Sequence, residues 1–119
     1  MERACTAGLP TTVTISGTRR SVPPVVDRTA YRIVQEALTN ITRHAGPATA
    51  AVHMRYADNA LTVQIDDDGR AAPGAAPVPG VGLLGMRERV TALGGSLQAG
   101  PRPVGGFTVR ADLPLADTP

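Results

Sequence analysis

Apolar residues fall at two different spacings along this chain of 119 residues, and the change from one spacing to the other at Gly46-Pro47 constrains the fold most. From about Pro24 to Ala45, the positions Ala30, Val34, Ala37, Leu38, Ile41 and Ala45 recur at steps of three and four, the period of one helical face. Past the Gly-Pro break the period becomes two. Val52, Met54 and Tyr56 alternate on one run and Leu61, Val63 and Ile65 on the next, joined by Asp58-Asn59, which predicts a β-hairpin.

The flanking segments extend the pattern. TTVTIS, residues 11 to 16, is β-branched and bounded by Pro10 and Gly17, and reads as a strand. A second helix is predicted from about Leu83 to Leu93, with Leu83, Met86, Val90 and Leu93 inward and Arg87, Glu88 and Arg89 outward; Gly94-Gly95 stops it. Ser96 to Ala99 and Phe107 to Leu113 alternate as two more strands, with Phe107, Val109, Ala111 and Leu113 sharing a face. Between hairpin and second helix, Asp66 to Gly80 (DDDGRAAPGAAPVPG) is acidic at its start and then Gly/Pro/Ala-rich, a loop long enough to need a reason. The order strand, helix, two strands, loop, helix, two strands predicts an α/β sandwich, a mixed sheet of about five strands with its helices on one face. A chain of 119 residues has room for one such domain, 1–119, and with 42% hydrophobic but only 3% aromatic residues its core must be aliphatic.

Composition removes several function classes. All 12 basic residues are Arg, set against 10 acidic ones, and the net charge of +2 with no basic run and no aromatic stacking platform argues against nucleic-acid binding. The single Cys5 has no disulfide or metal-ligand companion, as expected of a reducing, cytoplasmic compartment. No run of about 18 apolar residues and no secretory pattern is present, so direct membrane contact is not expected of this module.

Three constellations carry chemistry. Glu36, Asn40 and Arg43 lie at i, i+4 and i+7, placing a carboxylate, a carboxamide and a guanidinium on the helix face opposite Val34, Leu38 and Ile41. Taken singly this is a solvated polar face, although a mid-helix Asn is informative because its oxygen is suited to ligating a metal. Asp66-Asp67-Asp68-Gly69 sets three mutually repelling carboxylates at a strand end; it reads as an Asp-Gly turn, or as an acceptor for an exocyclic amine beside a Gly that admits a flat ring. Gly80, Gly82 and Gly85 lead into the second helix, either as a plain joint or as a backbone N–H cradle for phosphate.

Together and in this order, the three resemble the ATP-binding catalytic domain of bacterial sensor histidine kinases, in the larger group shared with DNA gyrase and MutL. QEALTNITRHA (Gln35 to Ala45) is similar to the N box, DDG (Asp67 to Gly69) to the first glycine box, and GVGLLGMRERV (Gly80 to Val90) to the second. With YRIVQEALTN, LGG and a terminal GGFTVRADLP, the likeness is to the NarL/DesK-type subfamily and extends from about Ala7 to Pro114. The resemblance implies a Bergerat (GHKL) fold, Mg-ATP as the nucleotide, and a set of roles. Asp67 would accept the adenine amino group and Gly69 make room for the ring, while Asn40 would ligate the phosphate-bridging Mg²⁺. Arg43 and His44 would lie near the phosphates, with Gly80, Val81, Gly82, Leu83, Gly85 and Met86 along their cradle. Ala71 to Pro79 would form a short ATP lid. Glu36 would either assist catalysis as an acid or orient Asn40 and the Mg²⁺ hydration shell.

Two positions depart from the family pattern. Ala71 stands where the first glycine box usually has its second Gly, and Phe107 follows Gly105-Gly106 where many relatives carry a Thr that contacts adenine through water. The only histidines are His44, in the N box, and His53, on the polar side of a strand, so neither is expected to be the phosphoacceptor. The resemblance therefore implies a catalytic module without its dimerisation domain, which in the intact kinase supplies the acceptor histidine and passes the phosphoryl group to a NarL/LuxR-type response regulator. A parent kinase of this kind can be anchored in the cell membrane. Rival readings on the same fold are an anti-sigma-factor-type Ser/Thr kinase and a non-catalytic nucleotide-sensing module.

Overall fold

Pro23 and Pro24 set the first boundary of the fold. In the computed structural model, which describes residues 10–17, 22–44, 49–69, 81–103 and 105–115 (the side chains of 42–44 and 81–84 excepted), α1 spans Pro24–His44. A proline at the first helical position loses no hydrogen bond, since its N–H would be unpaired there. The Pro23 carbonyl accepts from Val26 N at 2.9 Å and Asp27 N at 3.0 Å, which closes the first turn. Val26, Ala30, Ile33, Val34, Ala37, Leu38 and Ile41 are buried along one stripe.

That stripe covers a five-stranded sheet made of β1 (Thr11–Gly17), β2 (Ala50–Tyr56), β3 (Ala60–Asp67), β4 (Ser96–Pro101) and β5 (Phe107–Pro114), in the order β1-β2-β3-β5-β4. β1 runs parallel to β2, a pairing that needs the crossover α1 supplies, and the remaining pairs are antiparallel. The register sets Val52 opposite Ile65, Met54 opposite Val63, Ile65 opposite Val109 and Val63 opposite Ala111. All of these are buried on the helical side. The other face carries the polar partners of the alternation, His53, Arg55, Thr62, Gln64, Arg110 and Asp112. The expected sandwich with helices on one face is thus the observed one.

The second helix, α2 (Val81–Ala92), packs on β4, β5 and α1, burying Met86 and Val90. It ends in a Schellman motif: Gly94 has φ +88, Gly95 N donates to Val90 O at 2.9 Å and Gly94 N to Thr91 O at 3.0 Å. Three boundaries differ from the sequence reading by two residues. α2 begins at Val81 rather than near Leu83, so Gly82 as well as Gly85 lies within the helix, because packing of Met86 and Val90 outweighs the poor helix propensity of glycine. β3 runs on through Asp66 to Asp67 instead of ending at Ile65, and β4 continues to Pro101 instead of Ala99.

Candidate functional site

The three consecutive aspartates at the end of β3 diverge. Alternation along the strand turns Asp66 to the outer face, where its carboxylate accepts from Thr108 Oγ1 and from Gln64 Nε2 at 3.1–3.2 Å. Asp67 points to the helical side as the continuation of Leu61, Val63 and Ile65, and is 3% exposed. Asp68, past the strand, clamps the start of β2: Thr49 N donates to Oδ1 at 2.6 Å and Thr49 Oγ1 to Oδ2 at 2.8 Å, while Asp68 N returns a bond to Thr49 O at 3.2 Å. The repulsion expected of adjacent carboxylates is reduced because each finds donors in a different direction.

Asp67 is the member free to serve a ligand. Its Oδ1 accepts the Gly69 N–H at 2.8 Å, the Asx geometry that holds the turn, and the Phe107 N–H also faces the carboxylate. An ionised carboxylate has about four acceptor sites, so two amides leave capacity for another donor. Burial pushes the Asp67 carboxyl above its ordinary value, against the pull of those amides and of the Arg102 charge, and with the nearby Asp68 charge adding to the rise. Asp68 is held below the ordinary value by the amide and hydroxyl of Thr49. A buried acceptor at a strand end, beside a buried Gly69, is suited to an N–H donor on a flat ring.

The sequence-predicted residues fall on the elements that line this side of the sheet. Glu36 and Asn40 are half-buried on α1, Arg43 and His44 form its last turn, Val81, Gly82 and Leu83 form the first turn of α2, and Met86 is buried beneath that helix. Gly85 is half-exposed, and a Cβ built there meets no described atom within 4 Å, so packing among the described residues does not require glycine there. Gly80, Ala71 and the expected lid from Ala71 to Pro79 lie outside the described residues. His53 is exposed on the outer face, turned away from α1 and α2. Among the described residues no group of three or more His, Cys, Asp or Glu could hold a metal ion.

Two contacts had no sequence signal. Arg102 Nη1 donates to the Asp67 carbonyl at 2.9 Å from 35 residues away. Gly106, at φ +89, passes so close that a Cβ on it would stand 2.0 Å from the same oxygen. The Gly105-Gly106 pair marks a turn, but neither glycine says which strand end the turn approaches.

The family described as histidine kinase-, DNA gyrase B-, and HSP90-like ATPase matches residues 26–117, and the chain belongs to it. It is 37% identical over 111 residues to the sensor histidine kinase LnrJ of Bacillus subtilis, covering 93% of this chain and 27% of that one. It is 43% identical over 98 residues to the sensor histidine kinase YxjM of the same organism, covering 82% and 24%. The chain thus spans about a quarter of the length of these relatives. Among solved structures, the histidine kinase domain of the Erythrobacter litoralis EL346 blue-light activated kinase superposes with a TM-score of 0.69 at 28% identity, over 92% of this chain and 56% of that one. Acinetobacter baumannii AdeS shares the fold, with a TM-score of 0.72 at 13% identity over 93% and 56%.

Proposed function

We propose that the chain is the ATP-binding catalytic module of a sensor histidine kinase, and that it binds Mg-ATP and donates the γ-phosphoryl group to a histidine on a dimerisation domain. In the intact kinase the group then passes to an aspartate of a NarL/LuxR-type regulator. The buried Asp67 carboxylate carries the reading: it is one of only two buried polar or charged residues among those described, and the other, Thr29, satisfies its hydroxyl on the Val25 carbonyl at 2.8 Å. Burial of a carboxylate that raises its own pKa costs stability, and a use in ligand recognition accounts for that cost. Relatives named sensor histidine kinases, with this module a quarter of their length, support the rest of the reading.

In this reading Asp67 accepts the adenine amino group and Gly69 lets the ring approach. Asn40 would hold Mg²⁺ through its carboxamide oxygen, and the metal would offset phosphate charge. That metal keeps water and phosphate ligands and needs few from the protein, so a single carboxamide is a sufficient protein ligand. The N-terminal turn of α2 faces the phosphates, and Glu36, one turn before Asn40, orients that amide or the hydration shell of the metal. The module positions the phosphoryl group and stabilises its charge, while the nucleophile comes from another domain. Calorimetric titration with Mg-ADP tests the assignment. Asp67→Asn is expected to lose about ten- to hundredfold in affinity, the worth of a charge-assisted hydrogen bond of roughly 1.5–3 kcal/mol. Undiminished affinity in the variant would remove Asp67 from the site.

A further inference from the structure

The turn between β4 and β5 reaches the proposed adenine acceptor with two residues that the chemistry above does not use. β4 is an edge strand separated from β3 by β5, so a residue following β4 must cross the end of β5 to touch β3. Arg102 does this. Its Nη1 donates to the Asp67 carbonyl at 2.9 Å, while its backbone closes the turn through Gly106 O at 2.9 Å and Gly105 N at 3.1 Å. The β3–β5 register ends at the pair Asp66 and Thr108, so the Asp67 carbonyl lies one residue past it and takes a charge-assisted donor from a side chain. Gly106 closes on the same peptide: a Cβ there would stand 2.0 Å from Asp67 O and 3.2 Å from Asp67 Oδ1. The peptide that bears the acceptor is therefore held by the β4–β5 turn as well as by its own strand.

Resting on the nucleotide reading above, we infer that Arg102 is a positioning residue for base recognition, fixing the Asp67 peptide so that its carboxylate selects a 6-aminopurine over a 6-oxopurine. A hydrogen bond weakens steeply with misalignment, so an acceptor discriminates only if its backbone is held. The Arg102 guanidinium also sets a positive charge near Asp67 and Asp68, favouring the ionised acceptor. In the nucleotide reading phosphate is held from α1 and α2 rather than from this turn, so the effect of Arg102 is expected at the base.

The test compares Mg-ADP with Mg-IDP, whose 6-oxo group replaces the amine, by calorimetry on the 119-residue chain and its variants. Arg102→Ala removes the donor; Arg102→Met removes it while keeping a side chain of similar reach, and serves if the first variant does not fold. The thermal midpoint of each nucleotide-free variant reports folding. The wild type is expected to prefer ADP, and loss of the donor to weaken ADP roughly tenfold while leaving IDP within about twofold, so that the preference shrinks. Arg102→Lys, which keeps a cationic donor, should recover part of the preference. The inference is overturned if ADP affinity is unchanged, or if ADP and IDP weaken by one common factor, which would assign Arg102 to the phosphates or to the fold. A wild type that binds both nucleotides equally would instead overturn the adenine reading of Asp67, and this inference with it.

Discussion

Burial of the Asp67 carboxylate raises its pKa and also limits how well water can compete for the same acceptor. The sign of the resulting pH dependence follows. A carboxyl whose pKa is raised on folding binds its proton more tightly in the folded state, so its contribution to stability is present below the unfolded value near 3.8 and is lost as pH rises through the folded one. Asp68, lowered by Thr49, acts oppositely: it stabilises above the unfolded value, and this is lost as pH falls through the folded one. Asp67→Asn is therefore expected to leave the nucleotide-free protein no less stable at neutral pH, and to make stability fall more steeply on acidification, since the opposing group is gone. Urea unfolding at several pH values measures both. Recognition of an amine needs Asp67 ionised, so the preference for ADP over IDP should decline on acidification with a midpoint above 3.8, a ratio in which phosphate ionisation cancels. The DDG sequence pointed to Asp67, but the separate partners of Asp66 and Asp68 depend on strand alternation and on Thr49, 19 residues earlier.

α1 divides its work between two faces, and substitutions should divide with them. Ile33 is fully buried under the sheet, and Ile33→Ala is expected to cost about 2–5 kcal/mol in chemical denaturation. Asn40 is half-buried on the other side, so Asn40→Ala should change stability by no more than about 0.5 kcal/mol. Nucleotide affinities measured with and without Mg²⁺ should differ for the wild type and converge for Asn40→Ala; an undiminished Mg²⁺ effect would place the metal elsewhere. In the β4–β5 turn, Gly106→Ala combines a left-handed φ with an approach of 2.0 Å to the Asp67 carbonyl, and is expected to cost on the order of 2 kcal/mol and to weaken ADP at the same time. Periodicity made α1, the hairpin and the succession of strands and helices along the chain legible, because each depends on local spacing of apolar residues. It did not reveal that Gly82 lies inside α2, where packing of Met86 and Val90 prevails over propensity. Nor could it join Arg102 to Asp67, since that contact depends on β5 lying between β4 and β3.

Across the whole molecule, the sheet separates a helical side that carries Asp67, Glu36 and Asn40 from an outer face that carries His53. A phosphoryl group held on the helical side has no approach to His53, which is exposed on the opposite face. In-line transfer needs a nucleophile that can be aligned with the leaving oxygen, and the proposed source is a separate dimerisation domain. The most direct measurement is phosphoryl transfer from γ-labelled Mg-ATP, with the 119-residue chain and the dimerisation domain of its kinase supplied as separate polypeptides. The expected result is label on the dimerisation domain alone, acid-labile as phosphohistidine is, at a rate that rises with the concentration of that domain and falls in Asp67→Asn. Label appearing on the 119-residue chain itself at a rate independent of the added domain, or acid-stable label on the acceptor, would contradict the account.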